Sequence, residues 1–195
     1  MIETLWAAVI VLSLVVVGLV AAVFGLARQV GILYERIAPV GALILDAGPK
    51  VGEQAPVFDL IGLDGRRVEL GQPGATSTLL FFLSPTCPVC KKLLPILRST
   101  ARSEAGWLRI VLASDGERGA QEKFYRQAKL EEFPYLLSSE LGLAYKVSRL
   151  PHAVLIDETG QVKAKGLVNS REQLESLFTA KELGVSSVQE YLKSA

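Results

Sequence analysis

The only two cysteines of this 195-residue chain stand in one short motif, Cys87-Pro-Val-Cys90. An apolar run, Thr78-Leu-Leu-Phe-Phe-Leu83, precedes them, and a stretch of helical character carrying Pro95 follows. Two thiols at this spacing between a strand and a helix suit two-electron thiol–disulfide exchange. Cys87 is expected just ahead of the helix N-terminus, where unpaired backbone N–H groups and the helix dipole favour a thiolate, which makes it the attacking sulfur. Cys90, one turn further in on the same side, is then the resolving sulfur. Pro88 in the first helical turn costs no hydrogen bond, since its missing N–H would be unpaired there. With Val89 it separates the two thiols, and these two residues are the ones placed to modulate them. Lys91 and Lys92 either add positive potential beside the thiolate or form a solvated helix face. The competing reading of the motif is a chance pair of structural thiols.

Other chemistries fit poorly. One histidine, His152, and two cysteines leave a tetrahedral zinc site short, so no metal is expected. A formal net charge of +1 without a basic block points away from nucleic acid. Hydrophobic residues make up 50% of the chain, and the excess is concentrated near the N-terminus. Residues 5–26 contain no charge, one hydroxyl and two glycines. As a helix they would extend about 33 Å, enough for a hydrocarbon core of about 30 Å. Trp6 is placed as an interfacial anchor. A cleaved signal peptide would want a basic leading region and a shorter apolar one. The expected organisation is therefore a short flank (1–4), a membrane anchor (5–26), an apolar connector (27–50) and a redox domain (51–195). Arg28, Arg36 and Lys50 follow the anchor and no Lys or Arg precedes it, so the positive-inside rule weakly opposes an external redox domain.

The redox domain reads as alternating strands and helices. Val57–Leu60 and Arg67–Leu70 form a hairpin across Leu63-Asp-Gly65. Thr78–Leu83 is a strand buried on both faces. A helix follows the cysteines to about Ser103 and is kinked at Pro95. Trp107–Ala113 is a strand, Ala120–Ala128 and Ser139–Tyr145 are helices, and Ala153–Ile156 and Val162–Ala164 are strands around Asp157-Glu-Thr-Gly160. A last helix begins near Ser170, with Gln173 in capping-box position. This order predicts a sheet covered by helices on both faces.

The run Cys87-Pro-Val-Cys-Lys-Lys-Leu-Leu-Pro-Ile-Leu97 resembles the thioredoxin active-site helix. Gly52-Glu-Gln-Ala-Pro-Val-Phe-Asp-Leu60 with Leu63-Asp-Gly65 resembles the opening hairpin of the redoxin branch. Val147-Ser-Arg-Leu-Pro-His-Ala-Val-Leu-Ile-Asp157 resembles the segment that carries the thioredoxin cis-proline. By that resemblance Pro151 is the cis-proline, and Leu150 offers backbone groups to an extended substrate strand. His152 is expected to be a surface-loop histidine. Further upstream, Gln29-Val-Gly-Ile-Leu-Tyr-Glu-Arg36, Ala38-Pro-Val-Gly-Ala42, Asp46-Ala-Gly-Pro49 and Ser84-Pro-Thr-Cys-Pro-Val-Cys-Lys91 resemble the MauD family of methylamine-utilisation accessory proteins.

The resemblance implies an α/β thioredoxin-like fold, a central mixed sheet flanked by helices, preceded by one transmembrane helix. It implies no cofactor beyond a redox-active Cys87–Cys90 disulfide. The implied partners are the disulfide-rich small subunit of methylamine dehydrogenase and an unidentified redox partner. The implied location is the bacterial inner membrane, single-pass, with the C-terminal domain periplasmic. One departure stands out. Thioredoxins carry a buried acid six residues before the first cysteine, and here that position is Phe81. Rival functions are an anchored reductant for cytochrome c assembly and a chaperone-like binding protein with an idle cysteine pair. A peroxidase pattern is met at Ser84 but fails at Leu80, where it wants proline. Redox direction is set by the potential of the pair relative to that of its partners.

Overall fold

The computed structural model describes residues 48–183, together with Trp6, residues 12–20 and Val23. The chain divides into two units, Met1–Gly41 and Ala42–Ala195. In the first, residues 12–20 are helical (α1) and exposed throughout. Among the described residues no helix is long and apolar enough to cross a membrane. Most of the 5–26 anchor and of the 27–50 connector lies outside the described residues.

The second unit is built on Ser77–Phe82 (β3), six successive residues that are all buried. A strand that is apolar on both faces has to be central, and β3 is: Leu108–Ser114 (β4) lies parallel on one side and His152–Ile156 (β6) antiparallel on the other. Tyr135–Leu137 (β5) extends β4, and Val162–Leu167 (β7) pairs with β6, giving the mixed order β5-β4-β3-β6-β7. Alternation along β3 divides the core into two layers. Leu79 and Phe81 point toward Pro88–Ser103 (α2) and Arg171–Leu183 (α5). Leu80 and Phe82 point toward Ser139–Ala144 (α4) and the hairpin of Phe58–Ile61 (β1) and Arg67–Leu70 (β2).

Helix positions follow from local chemistry. In α2 the buried residues Cys90, Leu93, Leu94, Leu97 and Thr100 recur at three- and four-residue intervals, which lays one stripe on the sheet. The helix runs from Pro88 to Ser103 with Pro95 inside it, and Pro95 is exposed. Arg118–Gln127 (α3) starts two residues earlier than its apolar periodicity suggests, because the Glu117 carboxylate accepts from Gly119 N at 3.1 Å and Ala120 N at 3.2 Å. The Ser138 hydroxyl caps α4 by accepting from Leu141 N at 3.1 Å. At α5, Ser170 Oγ accepts from Gln173 N at 3.3 Å while Gln173 Oε1 accepts from Asn169 N at 2.6 Å. This is the expected capping box, with the return bond displaced by one residue.

Both edges of the sheet are covered by the segment that precedes β3. At β7, Gly52 N donates to Val162 O at 2.8 Å and Val162 N to Glu53 O at 2.9 Å, and Gln54 bridges Gln161. At β5, Leu63 N donates to Tyr135 O at 2.8 Å. Unpaired strand edges are templates for aggregation, so a strap that reaches both has a protective role. Gly71 and Gly160 let it lie close. Both have positive φ, and a Cβ on Gly160 would stand 2.6 Å from Gly71 O.

Candidate active site

The route from β3 into α2 is set by Ser84-Pro-Thr-Cys87. Cys87 N donates to Ser84 O at 3.1 Å, closing a four-residue turn with proline in the second place. Ser84 Oγ accepts from Thr86 N at 3.3 Å and lies 3.0 Å from Thr86 Oγ1. Cys87 is thereby left extended, with φ −84° and ψ 110°, as the N-cap of α2. Its sulfur accepts from Cys90 N at 3.1 Å. Serine, proline and threonine at these offsets are turn formers for separate physical reasons. The peroxidase pattern at Ser84 carries no information about this turn.

Cys87 and Cys90 form a disulfide with a Cα–Cα distance of 5.3 Å. The two sulfurs differ sharply in exposure. Cys90 is fully buried among Phe81, Leu93, Leu94 and Leu97, whereas Cys87 is half-buried at the rim with Val89, and Pro88 is exposed. Lys91 and Lys92 are both exposed, and Lys91 Nζ stands 6.0 Å from the centre of the Phe124 ring on α3.

Pairing of Phe82 with His152 puts Pro151 one residue before the start of β6, beside the loop that leads to Cys87. The Leu150–Pro151 peptide is cis, Pro151 is buried, and its carbonyl accepts from Val168 N at 3.2 Å. Leu150 is 37% exposed. Among the described residues, neither the Leu150 N–H nor its carbonyl has a backbone partner.

His152 is not a surface-loop residue. It opens β6 and is half-buried on the sheet face opposite Cys90, its ring 6.3 Å from that of Phe82, which in turn lies 5.7 Å from Tyr145. Burial, with Lys165 nearby, pushes the imidazole down to about 4, so it is neutral at physiological pH. No local pattern signals this, because the ring that faces the imidazole, Phe82, comes from β3, far earlier in the chain.

Phe81, in the place of the thioredoxin acid, is fully buried between Leu112 and Ala153. Asp157 and Glu158 follow the far end of β6, remote from the cysteines. Asp157 is held there by Thr159, Gln161 and Lys163, and Glu158 by Ser77 and Lys181. Both are structural.

A mixed five-stranded sheet with a Cys-X-X-Cys disulfide at a helix N-terminus and a cis-proline immediately before the adjoining strand defines a thiol–disulfide oxidoreductase of thioredoxin fold. Residues 50–181 match the Redoxin family model. The chain is 43% identical over 187 residues to the methylamine utilization protein MauD of Methylorubrum extorquens, covering 95% of this chain and 90% of that one. It is 30% identical over 131 residues to the thiol-disulfide oxidoreductase ResA of Bacillus cereus, covering 65% and 75%. The thioredoxin domain of a thiol-disulfide oxidoreductase from Bacteroides vulgatus superposes with a TM-score of 0.57 at 22% identity, covering 66% of this chain and 96% of that one. The chain belongs to the Redoxin family and, within it, to the MauD family.

Proposed function

We propose that this chain is a membrane-anchored thiol–disulfide oxidoreductase acting in maturation of the disulfide-rich small subunit of methylamine dehydrogenase. It forms or isomerises the disulfides of that subunit, or otherwise assists its processing and stability. The observation that carries this reading is a Cys87–Cys90 pair with one accessible and one buried sulfur, in a chain that matches MauD over 95% of its length. The ResA match covers 65%, so likeness to MauD extends well beyond the redox domain.

In the oxidising direction, a client thiolate attacks Cys87 Sγ. The Cys87–Cys90 bond breaks and Cys90 leaves as thiolate. A second client thiolate then attacks the client sulfur of the mixed disulfide, which forms the client disulfide and releases Cys87. Two electrons pass to the pair, and a separate redox partner must remove them. In the reducing or isomerising direction, Cys87 thiolate attacks a client disulfide and Cys90 resolves the adduct. A potential of about −270 mV would mark a reductant and one of about −120 mV an oxidant. The exposed Leu150 and its unpaired backbone groups hold the client segment against the cysteines.

The anchor reading is supported by α1. Leu12, Leu14, Val15, Val16, Val17, Leu19 and Val20 are each more than half exposed, and at helical spacing they cover every side of the helix. A helix apolar all round is suited to lipid. In this reading the redox domain lies on the periplasmic side of a bacterial inner membrane, where disulfides persist.

Cys90→Ser tests the client assignment, because it removes the resolving thiol. This variant should accumulate a reducible adduct between Cys87 and the dehydrogenase small subunit. Absence of that adduct from cells making both proteins would remove the proposed client.

A further inference from the structure

The Ser84–Thr86 pair has one hydroxyl proton more than its own bonds consume. Ser84 Oγ receives the Thr86 N–H, and the two side-chain oxygens lie 3.0 Å apart, so one proton bridges them. Two hydroxyls own two protons. Whichever of them supplies the bridge, the other proton is left to be donated elsewhere. The pair sits on the turn that Ser84 O closes onto Cys87 N, and Thr86 directly precedes Cys87. The Cys87 sulfur already accepts one donor, Cys90 N. We infer that when the pair is reduced the spare hydroxyl proton is donated to the Cys87 thiolate, so that Ser84 and Thr86 are positioning residues that hold Cys87 in its reactive ionised state. A hydrogen bond made to the charged form lowers the pH at which a thiol ionises. This inference rests on Cys87 being the attacking sulfur.

Either hydroxyl can serve alone, so the single variants should be nearly silent and the double variant should not. The experiment is the pH dependence of iodoacetamide alkylation of Cys87 in the reduced full chain carrying Cys90→Ser. Ser84→Ala with Thr86→Val should raise the midpoint by about one pH unit, a roughly tenfold slower reaction below it. Ser84→Ala with Thr86→Ser should restore the parent profile. A folded double variant with the parent midpoint would overturn the inference, leaving the hydroxyls a role in the turn alone. Should the double variant not fold, a structure of the reduced parent decides. Ser84 Oγ or Thr86 Oγ1 should lie within hydrogen-bonding distance of Cys87 Sγ, and if neither does the inference fails. Mass spectrometry of the reduced chain with both cysteines separates this from failure of the functional reading: alkylation of Cys90 before Cys87 would refute the order of attack whatever the midpoint.

Discussion

Cys87 and Cys90 are three residues apart, yet one is fully buried and the other meets solvent, and the difference comes from which side of the helix start each occupies. That asymmetry supports the order proposed for the two sulfurs. It was legible in the sequence, because proline after the first cysteine and leucines at three- and four-residue intervals after the second fix both the helix start and its buried stripe. His152 was not legible. Its ring faces that of Phe82, which is distant in the chain and packs in turn on Tyr145. The depressed imidazole has a thermodynamic consequence. A base whose folded value, about 4, lies below its unfolded value, about 6.5, binds fewer protons in the folded state between them. Stability is therefore complete above pH ~6.5 and falls as pH drops toward ~4, by up to roughly 3 kcal/mol. Thermal melts across this range should show the decline, and His152→Asn should flatten it. An identical slope in both proteins would contradict the burial argument.

At the scale of elements, the strongest strands and helices declared themselves. Six buried residues in succession identify β3 as central, and the turn chemistry of Asp64-Gly65 and Asp157–Gly160 identifies two hairpins. β5 did not. Three residues after Pro134 are too few for a periodic signal, and the strand exists because β4 offers it an edge. The strap was equally hidden, since its bonds to Val162 and Tyr135 join residues about 70 to 110 positions apart (strap 52–63). Gly71 tests its importance. Its φ is positive, and a Cβ there would meet Pro56 O and stand 2.8 Å from Ala55 O. Gly71→Ala should cost roughly 2 to 4 kcal/mol, read as a lowered denaturant midpoint. A loss below about 0.5 kcal/mol, the size of a neutral surface substitution, would mean that the strap is not held closely.

For the whole molecule, the proposal joins a redox domain to an anchor that keeps it at one side of a membrane. The positive charges at Arg28, Arg36 and Lys50 pull against the periplasmic placement, so topology needs its own check. A membrane-impermeant thiol reagent should label reduced Cys87 in intact cells to the same extent as in lysed ones. Labelling confined to lysed cells would put the domain in the cytoplasm and detach it from its proposed client. The central claim is that cysteine chemistry, rather than binding alone, matures the dehydrogenase. Counting the disulfides of the small subunit made in cells whose only copy of this protein carries Cys87→Ser and Cys90→Ser tests that claim most directly. The account predicts a small subunit with missing or mispaired disulfides, and a full, correctly paired set would contradict it.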